Sequence, residues 1–508
     1  MGAAPCENHR LIYLHNGTVI DGTGSAPERA SVLIEDGAIS AIGRDAPPAD
    51  ARVIDCTGLT ITPGFIDIHS HSDVMVLEND RAKADQGVTT EVVGNCGFSP
   101  YPCGADAAAV RRYGHAILAG GDSWGWPGAA EYLEYARRQS RLCTVWSMVG
   151  HGSLRIAVMG QRQGAPEPRE MDRMEGILEE SFEAGSCGFS TGLMYAPGSS
   201  APREELVRLC RVTAKHGKVY STHMRSYMHE LLESIEEQLD LAREAGCRLQ
   251  ISHLQAVGRA NWSKQDRALE RLEQARAEGI DVAFDSYPYL AGSTVLTQLL
   301  PQWTLDGGIS AMLARLADPA LRPRIAEETI AQTAQQWSDI FVVATGSAEG
   351  ARWIGRNFAE IAEERGVDPV EAVFEVIEEE NGDVNMLSFN QCEDNLRKLL
   401  QHPLCTVISD GFYVKGRPHP RLYGTFPCLL GEMARERGWL SLPAAVHKIT
   451  GKPAERFGMR GRGVLRPGAI ADVAVFDAAA IRARATYESP QQKPEGIHFL
   501  FREGVQIT

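Results

Sequence analysis

The chain has 508 residues, 44% of them hydrophobic and 23% charged, which suits a large buried core and excludes disorder over most of its length. Lys and Arg number 51 against 66 Asp and Glu, a net charge of -15 that argues against a nucleic-acid partner. No apolar run reaches the roughly 18 residues of a membrane span. The start, MGAAPCENHR, reads as neither a secretory signal nor a myristoylation site. The 11 cysteines contain no CxxC pair, which predicts reduced thiols and a cytoplasmic location.

In chain order, the first elements are short strands: Leu11–His15, Gly17–Asp21, Ala30–Ile34 and Ala38–Ile42, the last two joined by Asp36-Gly37, a tight-hairpin signal. The C-terminal stretch behaves alike, with Ala471–Phe476, Ile497–Arg502 and Val505–Thr508 around Glu503-Gly504. Each piece is too small for a core of its own, so the two are expected to form one composite β domain. Between them, strand-like runs alternate with amphipathic helices, the rhythm of parallel βα units. The strand candidates are Gly64–His71, Val88–Gly94, Thr144–Gly150, Gly188–Leu193, Lys218–His223, Arg248–His253, Asp281–Tyr287 and Thr406–Asp410. Expected helices include Glu204–His216, His229–Ala245 and Asp266–Glu278, each stopped by a glycine. Eight such units favour a closed, TIM-like (β/α)8 barrel over a doubly wound open sheet. The stretch Thr294–Val342 is too long for a crossover and reads as an inserted lid on the C-terminal rim. The expected domains are therefore 1–62 and 461–508 for the terminal β domain, 63–293 and 343–460 for the barrel, and 294–342 for the lid.

The chemistry gathers at strand ends. His69-Ser70-His71 puts two imidazoles one strand period apart, on one face. His223 ends the fifth strand candidate, His253 the sixth and Asp410 the eighth, while Cys96 follows the second. All strand C-termini of a parallel barrel face one mouth, so these groups converge although hundreds of residues separate them. Four imidazoles, a carboxylate and a thiolate can fill two adjacent metal sites, and the thiolate favours zinc over magnesium or calcium. Cys56, Cys143 and Cys210 sit among apolar neighbours and read as core. His151, at the end of the third strand, is either near the substrate or packs a loop.

The order His69-x-His71, His223, His253, Asp410 resembles the amidohydrolase superfamily. More narrowly, GNCGFSP (Gly94–Pro100), GHGSLR (Gly150–Arg155), GFSTGLMYAPG (Gly188–Gly198), DSYPYLAGST (Asp285–Thr294) and HPRLYGTFP (His419–Pro427) are similar to the D-aminoacylases, or N-acyl-D-amino-acid deacylases. The resemblance covers nearly the whole chain, including the stretch Arg462–Asp477. It implies a composite β-sandwich and a metal-dependent barrel with an inserted lid. It also implies that Cys96, His223 and His253 hold a tight zinc, and that His69, His71 and Asp410 surround a second, weaker position. The fourth strand carries no lysine, as expected where a cysteine replaces the carboxylated lysine of other amidohydrolases.

The implied reaction is hydrolysis of N-acyl-D-amino acids, with Asp410 as general base and then general acid. Arg225, Tyr195, Lys264, Tyr287, Ser293 and Arg421 are the expected contacts to a small-molecule substrate, Arg supplying a bidentate fork for its carboxylate. Two alternatives are a cyclic amide or dipeptide-like substrate on the same site, and an inactive zinc-stabilised scaffold. Met224–Glu230 and Phe389–Leu396 depart from the plainest family members. Handedness is not encoded in residue type, and the oligomeric state is not readable from the sequence.

Overall fold

The structure is a computed structural model and describes residues 11–120 and 124–508; the segment MGAAPCENHR, with Cys6, lies outside the described residues. Eight parallel strands, Phe65–Asp67, Val88–Val93, Thr144–Gly150, Gly188–Gly192, Val219–His223, Arg248–Ile251, Val282–Ser286 and Cys405–Val407, pair with their neighbours in chain order. Each overlaps one of the eight runs expected from the sequence. The first and last meet through a parallel bridge from Ser70 to Gly411. There the Asp410 amide donates to the His69 carbonyl (2.8 Å) and the His71 amide to the Gly411 carbonyl (3.0 Å). The sheet is therefore a closed barrel and not an open doubly wound one.

The helices between strands follow from their apolar spacing. Arg203–Lys215 buries Leu206, Leu209, Cys210 and Thr213, and carries Glu204 and Glu205 in its first turn and Lys215 in its last, signs that suit the helix dipole. Each fully buried leucine contributes roughly 1.5–3 kcal/mol. Leu231–Ala245 and Lys264–Ala277 repeat the plan.

The chain termini build one mixed sheet of eight strands, joined where Thr60–Pro63 pairs antiparallel with Val473–Phe476. Both expected tight turns form: Asp36 and Gly37 sit at φ 46° and 83°, Glu503 and Gly504 at 52° and 77°, the positive values that two-residue hairpins require. Two expected strands are one, Leu11–Val19, whose register shifts between Leu14 and Gly17. The short strands Arg52–Asp55 and Thr60–Pro63 were not anticipated; they have too few residues to show a period.

The insert expected over 294–342 is part of a longer excursion between the seventh and eighth barrel strands. Its antiparallel sheet places Val384–Phe389 between Ala291–Val295 and Ile340–Thr345. It has its own core, around Leu296, Ile325, Phe358 and Phe374. The middle strand comes from a stretch that the sequence had placed in the barrel, because its partners are distant in sequence and local pattern does not reveal them. Among the described residues no helix is long and apolar enough to cross a membrane.

Candidate active site

The first barrel strand ends at Asp67, earlier than the alternation predicts. Asp67 turns the chain: its Oδ1 accepts from the His69 amide (3.3 Å) and the Ser409 amide (3.1 Å), tying the first strand's end to the eighth's. His69 and His71 still share one face. Their Nε2 atoms both approach Asp410 Oδ1, at 3.3 and 3.2 Å. Cys96 Sγ lies 3.2 Å from His69 Nε2 and 3.6 Å from His253 Nε2. One ligand atom each from His69, Cys96, His253 and Asp410 falls within 4.8 Å of all the others, and all four residues are buried. His223 joins them with its ring 4.6 Å from that of His253. The six residues expected at strand ends are thus brought together, although the tightest group draws on both of the metal positions anticipated.

Three members of this group have left-handed backbone: Cys96 at φ 53°, His253 at 33° and Asp410 at 48°. Non-glycine residues there cost of order 1–3 kcal/mol each, and such strain gathers where a side chain must be aimed. The turn bearing Cys96 is fixed by its neighbours. Gly94 has φ 79° and a Cβ there would meet the Met148 carbonyl oxygen at 2.2 Å; Gly97 has φ 78° and would meet the Gly192 amide at 2.8 Å. Only glycine fits either position, and Cys96 is pointed into the mouth as a result.

Burial sets the electrostatics. It drives the imidazoles of His71 and His223 below the usual histidine range, and that of His253 down to about 4. Burial works against ionisation of Asp410, yet the Arg421 guanidinium, with His69 and His253, holds its carboxyl well below the usual range. Arg421 Nη1 is 2.9 Å from Asp410 Oδ2, and the guanidinium stacks over Tyr287 and Phe412. Neither ring nitrogen of buried His223 has a hydrogen-bond partner, nor does Nδ1 of His71 or His253. Neutral imidazoles with unclaimed nitrogens, a thiol and an ionised carboxylate fit a borderline divalent cation such as zinc.

Of the six expected substrate contacts, Tyr195, Tyr287, Ser293 and Arg421 line the same cavity of about 120 Å3 as His71, Cys96, His223, His253 and Asp410. Tyr195 Oη bonds Thr294 (3.0 Å), Tyr287 Oη faces Gln255 (3.4 Å) and the Ser293 hydroxyl donates to the Met386 carbonyl (2.8 Å). Arg225 and Lys264 are elsewhere. Arg225 pairs with Glu237 (2.8 Å) and donates to the carbonyls of Ser199 and Ala201, while Lys264 donates to the His229 carbonyl (2.6 Å). Both fasten loops, which neither Arg225's proximity to His223 nor Lys264's place in a family-like stretch could show. His151 is buried on Glu205 (2.7 Å), whose other oxygen takes Arg155.

The sequence reading missed two supporting groups. Asp285 accepts from the His253 amide (2.6 Å) and from Gln250 (2.8 Å) and faces His69 Nδ1 (3.3 Å), so one carboxylate orients two of the ligands. Its position at the end of the seventh strand candidate was the available signal. Lys83 is buried against Asp67 and 3.7 Å from Glu91, beneath His69 and Asp410. Burial alone would discharge Lys83; Asp67 and Glu91 instead raise its pKa. Nothing local distinguishes Lys83 from a surface lysine. The ten cysteines among the described residues are free, and Cys56, Cys143 and Cys210 are core.

An amidohydrolase family matches residues 52–498 of the chain. An N-acyl-D-glutamate deacylase of Alcaligenes xylosoxydans xylosoxydans is 36% identical over 499 residues, which span 98% of this chain and 93% of the relative. A D-aminoacylase of the same organism is 34% identical over 498 residues, 98% of this chain and 94% of the relative. The crystal structure of N-acyl-D-glutamate deacylase from Bordetella bronchiseptica, complexed with zinc and a phosphonate that mimics the tetrahedral intermediate, matches with a TM-score of 0.85. It is 34% identical, and the match covers 98% of this chain and 96% of that one.

Proposed function

The chain belongs to the amidohydrolase family, in its D-aminoacylase branch, and from that premise we propose that it hydrolyses N-acyl-D-amino acids to a carboxylic acid and a D-amino acid. The observation that carries the reading is the buried group His69, Cys96, His253 and Asp410, with Arg421 on the carboxylate, of which Cys96, His253, Asp410 and Arg421 line one cavity. Cys96, His223 and His253 are assigned to one tightly held zinc, and His69, His71 and Asp410 to a second, weaker position. Zinc bound there would polarise the amide carbonyl and lower the pKa of water toward neutrality.

The chain's own residues supply the rest. Arg421 keeps Asp410 ionised, so that the carboxylate can take a proton from the attacking water. The water oxygen bonds to the acyl carbon, the C–N bond breaks, and Asp410 returns the proton to the departing nitrogen. Arg421 also offers its guanidinium to the substrate carboxylate; its Nε is unclaimed and Nη2 holds only the Ser293 carbonyl at 3.2 Å. Tyr195, Tyr287 and Ser293 border the same space. Reduced thiols throughout the described residues support a cytoplasmic location.

The test is a panel of N-acetyl-D- and N-acetyl-L-amino acids with and without a chelator. Hydrolysis confined to the D series and abolished by chelation is expected; equal rates on both hands would overturn the assignment. Arg421→Ala should cripple an N-acyl amino acid more than a neutral cyclic amide, and the reverse order would favour a cyclic substrate.

A further inference from the structure

A second cavity, of about 400 Å3, lies between the barrel helix Ala107–Leu118 and the insert, and it abuts the catalytic one. The two share Phe98, Ile117, Tyr195 and Gln298. Both shared aromatic rings face ligand imidazoles: Tyr195 is 4.8 Å from His223 and Phe98 is 6.5 Å from His71, ring centre to ring centre. By contrast Arg421, Tyr287 and Ser293 line only the catalytic cavity. A substrate with its carboxylate on Arg421 and its amide carbonyl at the ligand group therefore has its acyl carbon next to the shared wall.

More of the second cavity's lining is apolar than polar. Val295, Leu305 and Met312 contribute to it, with Leu305 and Met312 buried. Polar side chains, Arg112, Gln161, Thr297 and Ser310 among them, also line it, and His115 meets Asp383 at 3.2 Å. A wall of this kind rewards methylene groups and gives nothing to an acetyl group, which is too short to leave the catalytic cavity.

We propose that the second cavity is an acyl-chain subsite, and that the substrates hydrolysed best are D-amino acids acylated with a straight hydrocarbon chain of about six to eight carbons. This rests on the deacylase reading above and names its acyl group. Burying each added methylene should raise kcat/KM about two- to fourfold until the cavity is filled.

The test uses the zinc-loaded full-length enzyme with N-acetyl-, N-butyryl-, N-hexanoyl- and N-octanoyl-D-methionine. The expected result is a stepwise rise in kcat/KM and an octanoyl-to-acetyl ratio of at least tenfold. Ala116→Phe and, independently, Ser310→Trp, at two sides of the second cavity, should each cut that ratio at least tenfold. Two results would overturn the proposal: a flat or falling series, or a ratio that neither variant changes. If the acetyl substrate is hydrolysed but longer chains are refused, only the subsite fails. If no N-acyl-D-amino acid is hydrolysed, the deacylase reading fails and takes this proposal with it.

Discussion

Asp285 offers the sharpest test of how the ligand group is held. Its two oxygens take the His253 amide (2.6 Å) and Gln250 (2.8 Å) and face His69 Nδ1 (3.3 Å). In Asp285→Asn the shape is kept, but one oxygen becomes an NH2. That group must then point at Gln250 Nε2, or at the His253 amide and the His69 ring, so at least one buried donor loses its acceptor. An unsatisfied buried donor costs about 1–3 kcal/mol, which should show as lower denaturant stability of the metal-free protein. Loss of a carboxylate that orients a metal-binding imidazole typically weakens metal affinity about 10- to 100-fold, or about 1.4–2.7 kcal/mol. Zinc affinity is measured by competition with a chromogenic chelator, with circular dichroism to confirm folding. A variant that loses stability but binds zinc as tightly as the parent would refute the orienting role and leave Asp285 a packing residue.

Three further outcomes follow from the same geometry. Asp410→Asn should lower kcat about 10²- to 10⁴-fold with zinc content, read by elemental analysis, still at least half that of the parent; an unchanged kcat would remove Asp410 from proton transfer. Lys83→Met strands the buried carboxylates of Asp67 and Glu91, a change of the kind that costs about 3–5 kcal/mol, and urea unfolding at neutral pH should register it. The imidazole of His151 is held below the usual histidine range by burial, against the pull of Glu205. The unfolded chain therefore binds a proton there that the folded one does not, starting as pH falls below about 6.5. Stability should decline from pH 7 toward 5.5, and His151→Gln should flatten that decline; an equal slope in both proteins would contradict the assignment.

Much of this was legible because barrels convert sequence position into spatial position. A residue at the C-terminal end of any parallel strand faces one mouth, so His69, Cys96, His223, His253 and Asp410 could be grouped without knowing a single distance. The division among them was not legible, because a spacing fixes a face and not the few ångströms that place Asp410 Oδ1 between His69 and His71. Arg225 and Lys264 misled for a related reason. Arg225 lies two residues past His223 and Lys264 falls in a family-like stretch, but whether a long side chain turns inward depends on which acceptors its surroundings expose, and Glu237 and the His229 carbonyl hold them away. Asp285 and Lys83 were harder to see because part of their significance lies in partners 216 and 326 residues distant, His69 and Ser409. The insert's middle strand is the same case at the level of secondary structure.

The bridge from Ser70 to Gly411 that completes the barrel has a consequence for synthesis. A ribosome adding about 5–20 residues per second needs roughly 20–70 s after the first barrel strand emerges before its closing partner exists. The terminal sheet waits longer still, since Thr60–Pro63 pairs with Val473–Phe476, which is made after the closing barrel strand. For that interval the half-made cylinder exposes an apolar edge, a target for chaperones, and truncated transcripts should yield protein that aggregates and does not accumulate as a smaller folded product.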